Sequence, residues 1–311
     1  MRHSIAARPI ALFLLLALGG AWLVASPLWV SGQGLRTPGA PVLLVAMMFI
    51  PAFAAGLVHL TNREDRRFLE ITSLKPRLPF RRWAPYAVIA WLGPIVATLG
   101  SLVVAAALGA YRFDLEHFSG AREAVSAVPG ASLPDVPIQA LVALQIGAML
   151  VAPILNVIPA LGEEIGWRGF LQTRLLPLGQ WPAMLITGAV WGLWHAPVIL
   201  LGYNYPGHNP VAALGLMMVF CMLLSVLLGW LTLASGTVWT AAIAHGFMNG
   251  VASLGVLLAS AGPIDAAVTG LLGVSGWAVM IALIVLLILL RQLPVVEAGE
   301  RKRPRQVVSP D

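Results

Sequence analysis

Charge is scarce in this chain. Of 311 residues only 10% are Asp, Glu, Lys or Arg, 59% are hydrophobic, and mean hydropathy is +0.87. A soluble domain carries close to a quarter charged residues, so this composition excludes one and makes lipid the main solvent. Cysteine is scarcer still. The single Cys221 sits inside an apolar run, which excludes an intramolecular disulfide and reads as a small buried side chain. The chain also lacks a Gly-rich phosphate loop, a helical H-E-x-x-H metal motif, a low-complexity tract and a repeat between its halves.

What it has in quantity is apolar sequence. Eight runs approach or exceed the roughly 20 residues that cross a bilayer: 9–30, 41–61, 83–110, 137–160, 182–201, 211–233, 237–260 and 268–290. They predict an all-α membrane protein of about eight transmembrane helices in one polytopic bundle. The first run follows Arg2 and Arg8 as a signal peptide would. It is longer than the roughly 7–15 residues of a signal core, and Ala25-Ser26-Pro27 is a poor cleavage site, so an uncleaved helix is expected.

Orientation follows from the basic residues. The 62–82 loop holds Arg63, Arg66, Arg67, Lys75, Arg77, Arg81 and Arg82, and the tail holds Arg291, Arg301, Lys302, Arg303 and Arg305. The 111–135 loop instead sets Arg112 and Arg122 against Asp114, Glu116, Glu123 and Asp135. Eight spans put both basic segments on one side, so both termini are expected in the cytoplasm of a multi-pass cell-membrane protein. The net charge of +6 is thereby explained by topology and by attraction to membrane lipids, without nucleic acid. The expected divisions are 1–136, N-terminal helices and basic loop; 137–260, the functional core; 261–291, a final helix; and 292–311, a disordered basic tail.

Between residues 137 and 290 only Glu163, Glu164, Arg168, Arg174 and Asp265 are charged, four of them within "EEIGWRGFLQTR". Ionisable groups inside a membrane are costly and mark function by default. Glu164 and Arg168 stand i, i+4 with the acid first, the favourable order for a helical pair, so Arg168 reads as the partner that orients Glu164. Glu163 has no partner within its own turn and is free to act on something else. Two further runs carry polar exceptions: His195 in "VWGLWHAP", and His245 with Asn249, again i, i+4, in "WTAAIAHGFMNG". A single intramembrane histidine is more often an interhelical hydrogen-bonding group. A glutamate, two histidines and an asparagine on three apolar runs are harder to explain as packing.

The remaining candidates read as bland. His3, His117 and His208 fall in termini or loops, His59 at the basic end of the second run, and Asp265 in a short connection. Trp191, Trp194, Trp230 and Trp239 read as packing or interfacial aromatics.

Glu163, His195 and His245 could form a His₂Glu zinc site with an open position. The metal-free alternative has Glu163 deprotonate a water oriented by His195, with His245 and Asn249 donating to the oxyanion. The second is favoured, with no cofactor expected, because Asn249 is a poor zinc ligand and shares a face with His245. Three readings stay open on these residues: a protease, a proton-coupled transporter, and a non-catalytic immunity or binding protein. The missing inverted repeat counts against the transporter.

Glu163-Glu164-x-x-x-Arg168, His195 four residues after the aromatic Trp191, and His245-x-x-x-Asn249 together resemble the E-E-x-x-x-R, F-x-x-x-H and H-x-x-x-N/D motifs of the CPBP family. This family comprises type II CAAX prenyl endopeptidases and bacteriocin-processing (Abi) proteins. The resemblance covers about residues 137–260, with Trp191 where the family usually has Phe. It implies an intramembrane endopeptidase in which Glu163, His195, His245 and Asn249 are catalytic and Glu164 and Arg168 support them. The implied substrate is a peptide or a membrane-associated protein, lipidated in some members. One point of geometry demands a solution. A continuous helix from residue 137 would place Glu163 about 39 Å along its axis, past a hydrocarbon core of about 30 Å. A break near Pro159, with Gly162 weakening the helix further, is the expected solution.

Overall fold

The computed structural model describes residues 7–62, 67–127, 136–151 and 153–295, and its fold is all-α. Arg2, His3, Arg63, Arg66, Asp135 and the 296–311 part of the basic tail lie outside the described residues. Each apolar run contributes a helix. These are α1 (Ala7–Val30), α2 (Ala40–Met48) with α3 (Ile50–Asn62), α4 (Phe80–Ala107), α5 (Ile138–Val151), α6 (Pro153–Glu164), α7 (Gln180–Trp194), α8 (Pro210–Ser235), α9 (Trp239–Gly250) and α10 (Val274–Leu289).

The local sequence sets the limits of α8 clearly. The Asn209 side chain accepts from the amides of Val211 (3.0 Å) and Ala212 (3.1 Å), and Pro210 opens the helix where no intrahelical donor is needed. Gly236 closes it in the left-handed region at φ +70°, donating to the Thr232 carbonyl. α7 crosses α8 closely because Gly188-x-x-x-Gly192 leaves no side chain at the crossing. A Cβ at either glycine would stand 2.5 Å from the Cα of Met222 or of Met218.

The expected count of eight spans is not confirmed. Among the described residues five helices are long and apolar enough to cross a membrane, six if α5 and the helix after it are one bent span. α7 has 15 residues and α10 has 16, about 22–24 Å at 1.5 Å per residue, short of the hydrocarbon core. Part of two runs is apolar without being helical. Residues 200–201 and 268–273 lie in turns, and Tyr203 and residues 269–272 there line a cavity.

The helix break is also misplaced by the sequence reading. The bend, 43°, falls between Val151 and Ile154, and α6 runs through Pro159 without interruption. Pro153 opens α6, where a missing N–H costs nothing. Gly162 is no breaker. A Cβ there would lie 2.8 Å from the Met48 carbonyl oxygen, so the glycine lets α6 touch the α2–α3 junction.

The two ends of the bundle differ. At one, the basic loop docks on the α8–α9 turn. The Arg77 amide donates to Gly236, the Val238 amide to Ser73 and the Trp239 indole to Leu74. At the other, the segments after α4 and after α9 are joined through Ser260 N–H to Arg112, Asp114 N–H to Leu258 and the Tyr111 hydroxyl to Gly255. There Asp114 accepts from the Ser119 hydroxyl and from the amides of His117 and Ser119, which hold its carboxyl well below the usual carboxylate range. Large apolar side chains such as Leu23, Leu155 and Leu289 remain more than 70% exposed, as a lipid-facing surface requires.

Candidate functional site

The "GEEIGWRGF" stretch begins as α6 and continues as a π-helix over Ile165–Gln172. Such i→i+5 segments are rare and gather at functional sites. Glycines 162, 166 and 169 press against Met48, Pro51 and Thr72, and none has room for a Cβ. On α9, Gly246 in turn packs against the backbone of Asn156 and Val157. The carboxylates are therefore held between two backbones that approach because the residues between them are glycine.

Glu164 and Arg168 are wholly buried and form the expected pair, Nη1 donating to Oε1 at 2.8 Å. The same oxygen accepts from His245 Nδ1 at 2.9 Å, a link absent from the sequence reading. One buried carboxylate thus fixes both the arginine beside it and the histidine of α9. The Arg168 guanidinium also lies 4.3 Å from the centre of the Trp191 ring.

Trp191 does more than pack. Its indole N–H donates to Glu163 Oε2 at 2.7 Å, so the glutamate that lacks a partner in its own turn finds one on α7. The other carboxylate oxygen has no protein hydrogen bond among the described residues. His195 caps α7, and its Nδ1 lies 2.9 Å from the Trp191 carbonyl oxygen. A carbonyl can only accept, so Nδ1 carries the proton and Nε2 of the neutral ring is an acceptor. The Trp191 ring centre stands 5.8 Å from that of His195 and 5.3 Å from that of His245, edge-on to the latter.

Glu163, Trp191, His195, His245 and Asn249 all line one cavity of about 530 Å³. Asn249 is exposed to it, and its side chain makes no protein hydrogen bond among the described residues, which leaves its amide free for a guest. Glu164 and Arg168 stand behind the wall. The structure therefore brings together every residue singled out in the sequence, four at the surface of the cavity and two supporting it. The sequence reading missed the Trp191 donor and Tyr203, whose turn also lines the cavity. Burial and the nearby Glu163 carboxylate push the Tyr203 phenol up from its ordinary value. An N–H at the family's aromatic position was a readable signal for the first; nothing in "GYNYPGHNP" marked the second.

Both imidazoles are anchored through Nδ1 to an acceptor, as metal-bound histidines usually are. Trp191 occupies one oxygen of Glu163, and among the described residues no group of three His, Cys, Asp or Glu side chains is disposed to hold a metal.

Residues 145–251 match the family model described as Rce1-like, type II CAAX prenyl endopeptidase Rce1-like. A search of curated proteins gives no match. Residues 145–251 are thus similar to a family of CAAX prenyl endopeptidases, and five helices among the described residues, or six, are long and apolar enough to cross a membrane.

Proposed function

We propose that the chain is an intramembrane endopeptidase that hydrolyses a peptide bond by glutamate-activated water, in CAAX-type processing of a peptide or membrane-associated protein. The observation that supports it most is the convergence of a carboxylate, two oriented imidazoles and a free amide on one cavity. A water between Glu163 and His195 Nε2 gives its proton to the free Glu163 oxygen as its oxygen attacks the scissile carbonyl. The oxyanion accepts from the Asn249 amide and from Nε2–H of a His245 imidazolium paired with Glu164. Glu163 then passes the proton to the departing amine, which closes the cycle.

The test is cleavage of a membrane-peptide library by purified protein after exhaustive chelation, with metal content measured alongside. Defined peptide products from metal-free protein are expected. Stoichiometric zinc whose removal abolishes cleavage and whose return restores it would sink the metal-free mechanism while keeping the protease. No products under any condition would leave the transporter and immunity readings.

Trp191 offers a finer check. A hydrogen bond to a charged group contributes about 1.5–3 kcal/mol. Trp191→Phe keeps an aromatic ring over Arg168 but removes the donor to Glu163, so kcat should fall roughly ten- to a hundred-fold with the protein folded. Unchanged kcat would show that Glu163 needs no such hold.

A further inference from the structure

The cavity does not open toward the basic loop. Its helical walls are Leu44 and Met47 in the first half of the Ala40–Asn62 span, Leu102 near the end of α4, and Met217 near the start of α8. The basic loop leads into the opposite end of α4. Phe80 lies 22 residues before Leu102, about 33 Å at the α-helical rise. Its turns come from 203–206 and 264–272, bound to each other by the Tyr205 hydroxyl on the Leu272 carbonyl (3.0 Å) and by His208 on Asp265 (2.9 Å). No residue of 67–82 reaches it.

Charge divides along the same axis. The face away from the cavity carries Arg67, Lys75, Arg77, Arg81, Arg82 and Arg174 against Glu70 alone among the described residues of the 67–82 loop. Among the described residues the cavity face carries only Arg36, Arg112 and Arg122, against Asp114, Glu116, Glu123 and Asp265. Basic loops stay in the cytoplasm, which makes the cavity face the extracytoplasmic one.

We propose that the site opens to the extracytoplasmic side. Its substrate is then an apolar peptide segment presented from that side: an exported peptide, or the outer end of a membrane-anchored protein. The hydrolytic part of this rests on the endopeptidase reading above; the direction of opening does not. A volume of about 530 Å³ takes a short extended segment and not a folded chain. Met47, Met48, Met217 and Met248 in its wall are flexible apolar surfaces that mould to varied side chains. A cytoplasmic tail would have to cross the bilayer to reach Glu163. The proposed processing is therefore narrowed to exported peptides and outer segments and away from cytoplasmic CAAX tails, and the reaction that supplies this substrate is export.

Single cysteines decide the matter, because Cys221 is fully buried and stays silent. Pro206→Cys and Ala261→Cys stand exposed on two different turns at the cavity end, and Lys75→Cys and Arg81→Cys stand exposed at the basic end. Spheroplasts expressing the full chain are treated with a sulphonated, membrane-impermeant maleimide, before and after permeabilisation. Positions 206 and 261 should label fully in intact spheroplasts, and 75 and 81 only once permeabilised. The reverse pattern would overturn the proposal, and two positions at each end guard against one variant misfolding. A library peptide that the purified protein cleaves, added in charged, impermeant form, should be cut by spheroplasts and not by sealed inverted vesicles; cutting by inverted vesicles alone would also overturn it. Failure of the purified protein to cut any peptide would strike the endopeptidase reading instead, while the labelling still fixes the opening.

Discussion

Arg168→Ala should destabilise the protein by about 3–5 kcal/mol, the cost of removing one partner from a buried ion pair. Neither side chain of the Glu164–Arg168 pair has any solvent exposure, so water cannot replace the lost 2.8 Å bond. The guanidinium also leaves the Trp191 face, and a void opens where a large side chain was. His245 still donates to the same Glu164 oxygen, which places the expected loss at the lower end of the range. Thermal unfolding in detergent measures it, with Glu164→Gln/Arg168→Met as the companion. That double variant removes both charges together and should recover much of the stability while losing activity, because His245 then lacks its carboxylate. Unchanged stability in Arg168→Ala would show that the pair is idle.

Glu163→Gln tests the other carboxylate, and here the expected loss is in rate. The amide can still face Trp191 through its carbonyl oxygen, so the fold and the 2.7 Å contact with the indole can survive. What disappears is the base. General-base catalysis is worth about 10²–10⁴ in rate, and among the described residues no other carboxylate lines the cavity to replace it. Glu164 cannot stand in, since Arg168 and His245 hold it behind the wall.

The site was legible in the sequence because charge inside an apolar chain is conspicuous. Glu163, Glu164, Arg168, His195, His245 and Asn249 stood out against Ala, Val and Leu, and the i, i+4 spacing of Glu164 and Arg168 gave their pair correctly. The His245–Glu164 bond was not legible, because it joins helices 81 residues apart and depends on how closely α6 and α9 approach. That approach is set by Gly246, which the sequence offered only as one of several small residues. Trp191 was discounted because tryptophan in a membrane helix is usually an interfacial or packing group. Its role appears only when α7 is placed beside Glu163.

The fold was legible as apolar helices, but the limits of those helices were not. Hydropathy cannot separate an apolar turn from an apolar helix, so 268–273 was counted into a helix that begins at Val274. Proline rules were ambiguous in the same way. Pro153 and Pro159 are six residues apart in one run, and only packing decides which opens a helix and which is carried within it. Glycine misled for a related reason. At 162 it weakens the isolated helix, but it also permits the contact with Met48 that fixes the helix in place.

The account stands or falls on Glu163 as the base of a hydrolytic reaction in this cavity. The direct measurement is single-turnover cleavage of one library peptide by wild type and by Glu163→Gln, with matched unfolding temperatures. The account predicts the same fold and a loss of at least a hundred-fold in the variant. Cleavage by folded Glu163→Gln within a few-fold of wild type would contradict it.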